Sequence, residues 1–204
     1  MRFPTWSAEN WADALWKHFL PQIQSGRPVY FSIDRSLLQE LVIQRELSRM
    51  GDPILHLAKS CNELIEHRGR RVALRLSATY RNATGVSNII CLIALQVVAV
   101  ELMTGDEEFS EDAYFPRLRE LLGILDDAYP FSNPFYQDQF QVIWEKFKSE
   151  ILAQPGGSVQ SITFHKGKGR NLHRELPFSQ ALLGAALLKR RVPALLIRTL
   201  IRIA

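Results

Sequence analysis

The run His165-Lys166-Gly167-Lys168-Gly169-Arg170-Asn171-Leu172-His173-Arg174 is the chain's most suggestive stretch of chemically capable side chains. Glycines at a hairpin tip permit positive φ and let backbone N–H groups and basic side chains approach phosphate closely. Lys166, Lys168, Arg170 and Arg174 are therefore the candidate anion- or nucleic-acid-binding residues. The run is not a P-loop, because Gly167-Lys168-Gly169 lacks the upstream glycine at the required spacing and the Ser or Thr after the lysine. His165 and His173 would face each other across such a hairpin. Without a third ligand beside them they read as a solvated or satisfied pair, and no metal site is expected.

Hydrolytic chemistry finds no foothold in the sequence. There is no G-x-S-x-G and no H-E-x-x-H, and Ser179 in Pro-Phe-Ser-Gln reads as a helix N-cap region. Asp106, Glu107, Glu108, Glu111 and Asp112 do not have EF-hand spacing, and acids ahead of a helix are accounted for by its macrodipole. Asp126-Asp127 reads the same way. Cys61 and Cys91 sit in apolar helical contexts and are expected as reduced core thiols. No catalytic residue, metal or cofactor is assigned.

Charge is segregated along the chain. Residues 1–105 hold 12 basic and 9 acidic side chains, residues 106–154 hold 4 and 11, and residues 155–204 hold 9 and 1. The stretches are therefore net +3, −7 and +8, which sum to the overall +4. An acidic middle can pair with a basic end inside the fold, or leave a positive surface for an anionic partner.

The elements that must position these residues are mostly helical. Val86–Met103 (VSNIICLIALQVVAVELM) carries no charge before Glu101. A helix apolar nearly all round is buried in a core or set in a membrane. Amphipathic segments elsewhere are sufficient to wrap it, so it is expected as the central buried helix. A first helix from Ala8 to Leu20, capped by Ser7 and stopped by Pro21, puts Trp11, Leu15, Trp16 and Phe19 on one core face. Pro28–Ile33 reads as a short strand. A helix from Leu37 to Met50 follows, and Asp52-Pro53 starts another, with a stripe from Ile54 to Ile65 that ends at His67-Arg68-Gly69. Arg70–Leu76 is ambiguous between strand and helix. A short helix holds Tyr114, Leu118, Leu121 and Leu122, and Phe135–Leu152 is amphipathic. After the Gln154-Pro155-Gly156-Gly157 break, alternation over 158–164 and a return over 171–176 suggest a hairpin.

The C-terminal helices, 177–191 and 193–204, are among the most apolar parts of the chain. Leu196 and Leu200 are the candidate partner-binding residues, because a two-sided apolar helix needs cover on its second face. Ala113–Gly123 (AYFPRLRELLG) and Leu176–Leu183 (LPFSQALL) resemble leading regions of large bacterial proteins, a likeness that names no family and carries no function.

The expectation is a mostly α fold, α+β at the margins, around helix 86–103 with a small β-hairpin near 158–176. Residues 1–154 form a helical core, and 155–204 add the basic hairpin and two apolar helices to the same domain. The expected function is a non-catalytic interaction module, the leading part of a larger bacterial assembly protein. It would dock a protein partner or a second copy through its C-terminal helices and an anionic partner, such as nucleic acid, through the hairpin. The alternatives are a winged-helix DNA-binding regulator and an enzyme of unrecognised type. Met1-Arg2-Phe3-Pro4 lacks the apolar core of a signal peptide, which points to a cytoplasmic protein with no membrane partner.

Overall fold

The computed structural model describes residues 6–26, 31–43, 51–68, 71–81, 85, 87–105, 117–123, 134–158, 161–165 and 173–177. They form a mostly α fold with small antiparallel hairpins, as the sequence predicts. The central element is helix α5, Ile89–Gly105, in which every residue from Ile89 to Val100 is buried. Helices α1 (Ala8–Gln24), α3 (Pro53–Asn62) and α7 (Pro134–Leu152) pack against it, as does strand β4 (His173–Pro177). At 17 residues α5 is roughly 26 Å long at ~1.5 Å per residue. Among the described residues no helix is long and apolar enough to cross a membrane.

Helix α1 starts where a capping box sets it. The Asn10 N–H donates to Ser7 Oγ (3.3 Å), and the Ser7 N–H donates to Asn10 Oδ1 (3.2 Å). It does not stop at Pro21 but runs on to Gln24 with Pro21 inside. The proline removes one hydrogen bond, yet the extra turn buries Ile23 completely. The Ser25 N–H then bonds back to Pro21 and Gln22, and Gly26 at φ +70° turns the chain. Trp11, Leu15, Trp16 and Phe19 are all buried, as their spacing predicts.

Phe31–Ile33 is not part of a strand in the described residues, although Phe31 and Ile33 are buried and Ser32 between them is exposed. The alternation reports burial; among the described residues no second strand pairs with it. Phe31 instead bridges two helices, with ring centroids 4.6 Å from Phe19 and 5.3 Å from Phe147. Aromatic pairs of this kind contribute roughly 0.5–1.5 kcal/mol beyond their area burial. Asp34 Oδ1 accepts from the Leu37 N–H (2.8 Å) at the start of α2, Arg35–Ile43. The predicted continuation of that helix to Met50 lies outside the described residues.

Asp52 caps α3 by accepting from the Ile54 N–H (3.0 Å), with Pro53 in the first turn. The helix ends at Asn62, earlier than the apolar stripe suggests. Leu64 and Ile65 keep the helical period and are buried, but Ile65 opens strand β1 (Ile65–Arg68), which pairs with β2 (Arg71–Leu74). Long-range bonds decide the outcome. The Arg75 N–H donates to the Leu64 carbonyl and Arg75 Nε to the Ile65 carbonyl, both at 2.8 Å, closing the hairpin base. A four-residue helix α4, Leu76–Thr79, follows. Residues 117–121 are helical (α6) and bury Leu118.

Beyond α7, a Gly-rich turn meets the end of α1. A Cβ on Gly156 (φ +73°) would lie 3.3 Å from the Gly26 backbone, and one on Gly157 would overlap the Ile151 carbonyl oxygen. Strands β3 (Ser161–His165) and β4 then pair antiparallel, with Ile162 opposite Leu176, Phe164 opposite Arg174 and His165 opposite His173. The predicted C-terminal helices lie outside the described residues.

Candidate anion-contact site

The β3–β4 register makes residues 166–172 the connection between the two strands. Lys166, Lys168 and Arg170 belong to that connection and lie outside the described residues, as do Leu196 and Leu200. Arg174 occupies the second ladder position of β4, one pair in from the His165–His173 end. The pairing thus brings both flanks of the basic run to one end of a short ladder. Strand β4 packs on α7 and α5.

A second hairpin of the same kind lies earlier in the chain. In β1–β2, Arg68 stands directly opposite Arg71, and Gly69 and Arg70 connect them. His67 stands opposite Val72, and Glu66, the one acid of the ladder, opposite Ala73. Strand β2 also packs on α7. The sequence reading carries the helix on to His67-Arg68-Gly69, because Leu64 and Ile65 continue its period, and leaves Arg70–Leu76 between strand and helix. The signal for the hairpin was Gly69 placed between two short segments, with Val72 and Leu74 alternating after it.

Other polar groupings in the described residues are structural. Glu150, with 12% of its side chain exposed, accepts from Ser87 Oγ (2.7 Å) and lies 3.6 Å from an Arg81 guanidinium nitrogen. Arg81 also donates to the Gly85 carbonyl (2.6 Å), and Gly85 holds φ +79°. Ser87 is only 1% exposed, so this hydroxyl–carboxylate pair is closed to substrate. It ties the approach to α5 to the last turns of α7. Asn88 Nδ2 adds a bond to the Ser77 carbonyl (2.9 Å).

Cys61 and Cys91 are free and fully buried, as the sequence predicts. Each thiol donates to a backbone carbonyl, Cys61 to Cys91 (3.2 Å) and Cys91 to Ala8 (3.1 Å). Burial, and for Cys61 also the neighbouring Cys91, pushes the Cys61 thiol well above its ordinary range; burial pushes Cys91 upward too. A thiol that stays protonated is neither nucleophile nor metal ligand. Among the described residues no three His, Cys, Asp or Glu gather in a metal-binding group.

One open groove of about 470 Å³ runs along α2, lined by Arg35, Ser36, Gln39, Glu40 and Ile43. Arg35 is tied to Asp52 at 2.8 Å, and the described lining places no histidine beside the Ser36 hydroxyl to activate it. The feature with chemical direction is the basic run of sequence between β3 and β4, whose arginine and lysine residues suit anions. Comparison with protein-family models, curated proteins and solved structures gives no match, so the geometry alone carries the functional argument.

Proposed function

We propose that this chain is a non-catalytic interaction module that docks an anionic partner through the β3–β4 hairpin. The observation that carries this reading is the register that ends on His165 opposite His173. It leaves Lys166, Lys168 and Arg170 in the connection and Arg174 on the returning strand, with no acid from 166 to 174. Such a tip concentrates positive charge where a phosphate-bearing partner can reach it. The apolar C-terminal segment with Leu196 and Leu200 is the second contact, to a protein partner or a second copy.

Retention on immobilised heparin, a generic polyanion, tests the hairpin. Lys166→Ala/Lys168→Ala/Arg170→Ala/Arg174→Ala should elute at clearly lower salt than the unmodified chain. Equal elution defeats the reading. Leu196→Glu/Leu200→Glu should shift a self-associating chain toward monomer in sedimentation. An unmodified chain that is monomeric at all concentrations defeats the self-association branch.

The order α7–β3–β4 is also that of a recognition helix followed by a wing. Helix α7 holds Asp138, Glu145 and Glu150 against only Lys146 and Lys148. Among its described side chains the exposed ones include Glu145 beside Lys146, with Val142 and Ser149, which does not make the basic face a groove-reading helix needs. That favours the interaction module over the winged-helix regulator.

A further inference from the structure

We draw no further inference here: the strongest candidate, the open groove along helix α2 lined by Arg35, Ser36, Gln39, Glu40 and Ile43, carries nothing, because all of its described lining comes from that one helix and nothing among the described residues shows what covers it.

Discussion

Helices α5 and α7 are nearly equal in length, 17 and 19 residues, yet they meet water in opposite ways. From Ile89 to Val100 no face of α5 reaches solvent. In α7 a stripe of Phe140, Ile143, Trp144, Phe147 and Ile151 is buried, while Val142, Glu145, Lys146 and Ser149 are exposed. The difference teaches where substitutions can be absorbed. A polar group on α7 can turn outward at every second or third position, whereas one placed in the middle of α5 has nowhere to go.

The largest effect should come from Leu95→Asp. An unpaired carboxylate at a position with 0% exposure costs several kcal/mol, comparable with the stability of a whole domain. No soluble folded protein should be recovered, as judged by circular dichroism of the soluble fraction. A cooperative native-like melt from this variant would break the contrast between the helices.

Trp144→Ala, on the buried stripe of α7, should lose about 3–5 kcal/mol while keeping the fold, read as a lower urea midpoint. A loss under about 1 kcal/mol would place α7 among peripheral elements.

The thiols of Cys61 and Cys91 sharpen the picture of α5 as a dry element. Unfolding exposes both, and in the unfolded chain they ionise above about pH 8.5, whereas the native chain keeps the protons. The native state then binds more protons than the unfolded one, so their contribution is fully present below that pH and lost above it. The fall should approach about 1.4 kcal/mol per thiol per pH unit. Urea titrations at about pH 8 and about pH 10 measure it, and Cys61→Ala/Cys91→Ala should reduce the slope. An unchanged slope would show that the thiols do not govern it.

The smallest effect belongs to Val142→Lys, at a site 51% exposed. Stability should stay within about 0.5 kcal/mol of the unmodified chain. A larger loss would mean that this side of α7 is covered in solution.

The same contrast explains what could be read from the sequence. Helix α5 was legible because the composition of Val86–Met103, eighteen residues with one charge, excludes an exposed helix. Ser7 and Asp52-Pro53 were legible because their capping chemistry is local. Ile65 was not, since a buried residue after Cys61 and Leu64 fits a helical period as well as a strand. Only the distant Arg75 hydrogen bonds decide between them. Pro21 misled because the local loss of one bond was outweighed by the burial of Ile23. The β3–β4 pairing could be inferred from alternation around Val159, Ile162 and Phe164. The β1–β2 pairing was missed although Gly69 lies between two short segments, because Leu64 and Ile65 fit a helical period as well.

The Gly156-Gly157 turn sets the heading of everything that follows it. Its backbone rests against the Gly26 turn at the end of α1, and position 157 has no room for a single methyl group beside the Ile151 carbonyl. The chain thus leaves the helical body through a fitted pivot whose fit depends on missing atoms. A methyl group at 157 would displace backbone there and disturb the packing of the downstream strand β4 on α7 and α5. The seat of strand β4 on the helical body is therefore governed by a residue that carries no charge and no side chain.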